Sequence, residues 1–209
     1  MKKLFLCSSF KDVAMLLEPF AGDVQGKRIT FIPTASNVEK IVFYVDAGKK
    51  ALQKLGFFVD EMDVATASSE EIAKRLEQND AIYISGGNTF FLMQEIQKTG
   101  TGKCILEQVE KGKLYVGESA GAMIAAPRTE YAKAMDSPKK APELDSFEGL
   151  NLVNFYPLPH YNSFPFKKAT EKIMETYGGS ITLRPMTNQE ALLIRGDDIA
   201  TERKPEGKF

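Results

Sequence analysis

The sequence predicts an α/β fold: a mostly parallel sheet with helices on both faces, three layers in all, ending in a C-terminal β-hairpin. Three observations predict it. Strand-like and helix-like stretches alternate about five times before Pro127. Several strand candidates are short apolar runs, as expected of strands buried on both faces. Two of them run directly into glycine-rich turns, at Gly86-Gly87 and Gly117. The 209 residues suit one domain, 1–209, large enough to bury a core without staples.

In chain order, Lys3–Ser8 reads as a buried strand and about Asp12–Phe20 as a helix ending near Gly22. Arg28–Ile32 is the next strand, closed by Pro33. Val38, Ile41, Val42, Val45, Ala51, Leu52 and Leu55 recur at three- and four-residue steps, which predicts a helix stopped by Gly56. Phe57–Val64 alternates like a strand. Ser68-x-x-Glu71 has the form of a capping box and opens a helix to Gln78. Ala81–Ser85 is a strand, about Phe90–Gln97 and Lys103–Glu110 are helices, and Leu114–Gly117 is a strand. Parallel strands joined by helical crossovers put their C-terminal ends on one edge, where ligands bind. Past Pro127 the rhythm stops. Arg128–Phe147 is polar and reads as a long loop, expected to pass over the preceding strand end. Phe155–Leu158 is a further strand and Pro165–Tyr177 a helix. Ala191–Arg195 and Ile199–Thr201, joined through Gly196-Asp197-Asp198, form the hairpin.

Composition removes several function classes. There are 27 Lys+Arg against 28 Asp+Glu, so the chain lacks the basic excess of a nucleic-acid binder. The two cysteines, Cys7 and Cys104, stand too far apart in sequence for a metal knuckle and are too few for a disulfide framework, which fits a reduced cytoplasmic setting. One histidine, His160, argues against zinc sites built on two or three imidazoles, and no cofactor motif is present. No membrane association is expected: the apolar run after Met1 is shorter than the ~7–15 residues of a secretory core, and nothing approaches the ~20 of a span.

The chemistry concentrates at Gly117-Glu118-Ser119-Ala120-Gly121, a G-x-S-x-G. A strand precedes it and small, helix-compatible residues follow, so Ser119 sits on a strand-to-helix turn. Such a turn exposes the hydroxyl beside a helix N-terminus, with the Ala120 N–H available to a developing oxyanion. Ser85-Gly86-Gly87-Asn88-Thr89 is a second strand-to-helix turn and a natural source of a second donor. It lacks the Lys-Ser/Thr of a P-loop and the third glycine of a dinucleotide fingerprint. A serine needs a base, and His160 is the only imidazole; a Ser-Lys pair is the competing scheme. Asn88 and Arg128 are candidate substrate contacts.

Gly86-Gly87-Asn88-Thr89-Phe90, Gly117-Glu118-Ser119-Ala120-Gly121-Ala122 and Pro159-His160 resemble the dipeptidase E and cyanophycinase family of serine peptidases in order and spacing. The resemblance covers most of the chain. It implies a class I glutamine amidotransferase-like, flavodoxin-like fold, with Ser119 as nucleophile, His160 as base, and Gly87 and Ala120 as oxyanion donors. It implies a small peptide substrate, with N-terminal aspartyl or β-aspartyl units as the family's targets. Among Glu130, Asp136, Glu143, Asp145 and Glu148, the family's aspartate-x-proline pattern selects Asp136, in Asp136-Ser137-Pro138, as the third catalytic residue. Glu118, acidic and next to the nucleophile, departs from an aspartyl-binding site. Two other readings stand beside this one. An α/β-hydrolase-type esterase shares G-x-S-x-G but places more than the 90 residues found here after its serine. A flavodoxin-like protein would hold a small ligand at the two glycine loops without reacting.

Overall fold

The computed structural model describes residues 1–205. Strand β1 (Lys3–Cys7) leads into a short helix α1 (Phe10–Val13), a 3-10 turn (Ala14–Leu16) and α2 (Leu17–Ala21), so the one helix expected there is broken in two. Then follow β2 (Arg28–Ile32), a 3-10 turn (Thr34–Ser36), α3 (Phe43–Lys54), β3 (Phe58–Glu61), α4 (Ser69–Gln78), β4 (Ala81–Ile84), α5 (Thr89–Thr99), α6 (Thr101–Glu110), β5 (Leu114–Glu118) and α7 (Ala120–Met123). After two 3-10 turns (Glu130–Ala134, Pro138–Lys140) come β6 (Tyr156–Leu158), α8 (Lys167–Tyr177), β7 (Leu183–Pro185), β8 (Glu190–Arg195) and β9 (Asp198–Arg203).

Seven strands form one sheet in the order β3-β2-β4-β5-β1-β8-β9. The first five in chain order are parallel; β8 runs antiparallel to β1 and pairs with β9 as the expected hairpin. Alternation sorts the strand side chains between two layers. Leu4, Leu6, Ile82 and Ile84 pack with α4, α5 and α6, while Phe5, Cys7, Ala81 and Tyr83 pack against α1, α2 and α3. Both faces are covered, which explains why β1, β2, β4 and β5 read as largely apolar runs, while the edge strand β3 alternates.

Two elements depart from expectation. The apolar period from Val38 to Leu55 predicts one helix, but α3 starts at Phe43, and Ile41 and Val42 lie exposed before it. The strand at Phe155–Leu158 does not join the main sheet; β6 pairs with β7 in a separate two-stranded parallel sheet. The long segment 128–147 is also more ordered than a loop. It is stitched along α5: Asp136 accepts from Thr89, Asn88 donates to the Ser137 carbonyl, Glu143 N–H donates to Gln94, and Gln97 donates to the Ser146 carbonyl. Its hydrogen bonds run along α5 from Asn88 to Gln97.

The parallel order places the C-terminal ends of β4, β5 and β1 side by side. Gly86-Gly87, Ser119 and Ser8 therefore meet at one edge of the sheet.

Candidate active site

Ser119 follows β5 and opens α7, and its backbone has φ 51 and ψ −106, a conformation that L-residues seldom adopt. Strain of this kind persists only where surrounding contacts enforce it. Here the Ser119 N–H donates to the Cys7 carbonyl, and the Ser119 carbonyl accepts from Ala122 and Met123. Gly121 allows the turn to close on β4: a Cβ at that position would stand 2.2 Å from the Ile84 carbonyl oxygen. The β4–α5 loop lies against the serine, since a Cβ on Gly86 would come within 3.2 Å of Ser119 Cβ and 3.7 Å of Oγ. Gly87 has φ 135, and a Cβ there would collide with the Ala35 carbonyl at 2.2 Å. Among the described residues, the N–H groups of Gly87 and Ala120 donate to no backbone carbonyl.

His160 reaches the serine from the turn after β6. Its Nε2 is 3.0 Å from Ser119 Oγ. Its backbone has φ 60, and its N–H donates to Ser8 Oγ, which donates onward to the Met186 carbonyl. The ring stacks on Phe166, with centroids 4.7 Å apart. Behind it, Nδ1 is 2.8 Å from the Asn188 side-chain oxygen. With the Nδ1 proton donated to that oxygen, the Nε2 lone pair faces the serine hydroxyl. Burial lowers the His160 pKa below 6.5, and the Asn188 bond offsets part of that shift. The arrangement can take a proton from Ser119 at neutral pH.

Asp136 does not support His160, which corrects the assignment taken from the Asp-x-Pro pattern. Its Oδ2 accepts from Thr89 N at 2.9 Å and from Thr89 Oγ1 at 2.6 Å, so it caps the start of α5. Desolvation raises its carboxyl to about 6, against the lowering effect of both Thr89 bonds. The group behind the imidazole is Asn188, which sequence reasoning missed. Asn188 sits in the polar turn Thr187-Asn188-Gln189 just before β8, and an uncharged amide in a turn gives no distinguishing pattern. The turn is held where Glu190 accepts from Thr187 N at 2.8 Å and from Thr187 Oγ1 at 2.9 Å.

Both expected substrate contacts are otherwise engaged. The Asn88 side-chain oxygen caps α5 by accepting from Phe90 and Phe91 N–H. The Arg128 guanidinium is paired with the Glu130 carboxylate, through Nε at 2.8 Å and through Nη2. Glu118 is buried beneath the elbow. Its Oε1 accepts from Phe10 N–H at 2.8 Å and its Oε2 from the Tyr83 hydroxyl at 2.6 Å. Burial raises its pKa, while Tyr83 and the Phe10 and Gly86 N–H groups hold the ionised form. Its carboxylate braces α1 and β4.

Comparison with known proteins decides the family. The sequence profile of peptidase family S51 matches residues 4–201. The chain belongs to peptidase family S51. It is 57% identical over 202 residues to an uncharacterized peptidase of Listeria innocua, with 97% of each chain covered. It is 32% identical over 171 residues to the peptidase E of Haemophilus influenzae, covering 78% of this chain and 75% of that one. The crystal structure of a candidate peptidase E from Listeria monocytogenes EGD-e superposes with a TM-score of 0.95 at 54% identity, covering 98% of this chain and all of the other. The S51 chain is thus a serine-type peptidase on a peptidase E fold, and neither an esterase of the α/β-hydrolase type nor a non-enzymatic binder.

Proposed function

We propose that this peptidase cleaves short peptides through an acyl-enzyme on Ser119. The observation that carries the reading is the line Ser119 Oγ, His160 and Asn188, with contacts of 3.0 and 2.8 Å. Ser119 Oγ attacks the scissile carbonyl carbon as its proton passes to His160 Nε2. The carbonyl oxygen becomes an oxyanion received by the Gly87 and Ala120 N–H groups; their freedom from backbone carbonyls supports that role. The C–N bond then breaks, and the imidazolium returns its proton to the departing amine. Water, deprotonated by the same imidazole, attacks the ester carbon, and Ser119 recovers its proton as the acid leaves. Asn188 orients the ring without a charge, as the asparagine of a Cys-His-Asn site does.

Free cysteines at positions 7 and 104 support a reducing, cytoplasmic setting. Among the described residues no helix is long and apolar enough to cross a membrane. An aspartyl preference draws no support from Arg128, whose charge is spent on Glu130.

Labelling with a fluorophosphonate probe, combined with hydrolysis of a dipeptide panel, tests the reading. Ser119→Ala should fold normally, take up no probe and lose several orders of magnitude in turnover. Near-native hydrolysis by that variant would rule out Ser119.

A further inference from the structure

Ser119 attacks only if His160 can carry the proton it gives up, and the imidazolium so formed has no acid beside it. The group behind Nδ1 is the neutral Asn188. Burial and that one bond account for the His160 shift, with no charged neighbour contributing. The carboxylates on the elements around it are engaged elsewhere: Glu118 with Tyr83 and Phe10, Asp136 with Thr89, and Glu190 with Thr187. The first turn of α8 carries no acidic residue, and Lys167 and Lys168, which open it, are exposed cations. A buried cation without a counter-charge is costly, so whatever else touches the imidazole bears on the rate.

The face of the ring is covered by Phe166. The two ring planes are 26° from parallel, with centroids 4.7 Å apart. The chain folds back on itself to make this contact. Ser163 N–H donates to the His160 carbonyl at 3.0 Å, and Ser163 Oγ donates to the Tyr161 carbonyl at 3.2 Å. Phe166 is then fixed by the helix it precedes: its carbonyl accepts from Thr170 N–H at 2.9 Å, and Thr170 and Ile173 are the buried residues of α8. Ile173 shares a cluster with Leu158 of β6, two residues before His160, so one packed unit carries both rings. Core packing does not explain the position of Phe166. It is half-buried and belongs to none of the three hydrophobic clusters of the described residues. An aromatic ring has a negative face, and a cation within about 6 Å of its centroid is attracted to it, more so where water is excluded. That attraction acts on the imidazolium more than on the neutral imidazole, so it favours the state reached as Ser119 loses its proton.

We propose that Phe166 is a positioning residue for the base: its face holds the plane of the His160 ring and stabilises the imidazolium formed as Ser119 attacks, in place of the carboxylate that the site lacks behind Nδ1. The proposal rests on the serine peptidase reading and deepens it. The two partners of the imidazole then divide the work. Asn188 at the ring edge fixes the tautomer, and Phe166 on the ring face steadies the charge.

The test is the rate of fluorophosphonate labelling of Ser119 as a function of pH, which needs the base and no particular peptide. It compares the wild type, Phe166→Leu, Phe166→Tyr and proteins carrying 4-fluoro-, 3,5-difluoro- or 3,4,5-trifluorophenylalanine at position 166. Fluorine withdraws charge from the ring face and leaves the shape of the side chain nearly unchanged. The labelling rate above the acid limb should fall stepwise with fluorine number, by roughly 3-fold or more in all, and the limb should move down by about half a pH unit. Phe166→Leu keeps an apolar cover without a π face and should match the trifluoro protein in both respects. Phe166→Tyr keeps the face and should label within a few-fold of wild type. Thermal midpoints should stay level across the fluorinated series, which decides the matter even where Phe166→Leu does not fold. A flat series, or a limb that stays in place or moves up with fluorine, overturns the proposal. A lower midpoint with rate and limb unchanged makes Phe166 a packing residue and also overturns it. A wild type that takes up no probe rejects the peptidase reading itself, and the role of Phe166 with it.

Discussion

The imidazole of His160 is held by an amide, and this sets how its activity responds to pH. Burial lowers its pKa below 6.5, and a neutral amide behind Nδ1 does less than a carboxylate to stabilise the imidazolium. The base works when neutral. Activity should therefore hold as pH falls through 6.5 and drop only below it. Asn188→Asp would put a negative charge 2.8 Å from Nδ1 and should move the acid limb of kcat/KM upward. Asn188→Ala frees the ring and should cost about 10- to 100-fold in kcat, with the limb shifted further down. Identical limbs in the wild type and both variants would detach Asn188 from the base. Ser119 and His160 were legible in the sequence because each carries a distinctive mark, an elbow motif and a unique imidazole. Asn188 was not, because its role exists only where the turn before β8 meets the loop after β6.

Among the elements, α4 and α5 show why local signals succeed and mislead. At Ser68 the N-cap half of the expected box forms: its Oγ accepts from Glu71 N–H at 3.2 Å while the Glu71 carboxylate pairs with Arg75, and α4 ends at Gln78 as expected. Such a cap is written in four adjacent residues. The start of α5 is capped twice, by Asn88 from within and by Asp136 from 47 positions away, and the second cap is invisible in sequence. The start of α3 was misread for a related reason. Apolar spacing at Val38, Ile41 and Val42 suits a helix, but periodicity does not distinguish a buried stripe from apolar residues left exposed before the first turn. The Asp136 cap carries a stability prediction. Its folded pKa of about 6 lies above the ~3.9 of an unfolded chain, so its contribution is fully present at low pH and is lost as pH rises through about 6. Asp136→Asn removes that loss. The stability of the variant relative to wild type should rise between pH 4 and 7, by at most about 3 kcal/mol. Denaturant melts at several pH values read this difference, and the acid limb of activity should stay where it was. A difference independent of pH would refute the assignment of the raised carboxyl to Asp136.

The molecule as a whole is a parallel sheet to which a second, two-stranded sheet delivers the base. The first part was legible, since β1, β2, β4 and β5, buried along nearly their whole length, leave apolar runs, and the edge strand β3 leaves an alternating one. The second was not: β6 and β7 are three residues each and find one another across α8, with nothing local to specify the pairing. What joins the two sheets is Ser8, at the end of β1. Its hydroxyl accepts from His160 N–H at 2.9 Å and donates to the Met186 carbonyl at 3.0 Å, so one buried side chain fixes both the β6 loop that carries the base and the β7 end that leads to Asn188. Met186 N–H in turn donates to Leu158, and Tyr161 N–H to Met186, so the two loops are laced to each other before Ser8 ties them to β1. Ser8→Ala leaves the His160 N–H and one bond to the Met186 carbonyl unmade. An orphaned buried group costs about 1–3 kcal/mol, which for a chain of this size lowers the melting temperature by roughly 2–4 °C per kcal/mol. The kinetic effect should be larger than the thermal one suggests, because the loss falls on the residue that aims the imidazole: kcat should drop about 10-fold or more, with the fluorophosphonate labelling rate of Ser119 falling in parallel. A destabilised Ser8→Ala protein that labels as fast as wild type at a temperature where both are folded would show that Ser8 holds the sheets together without aiming the base.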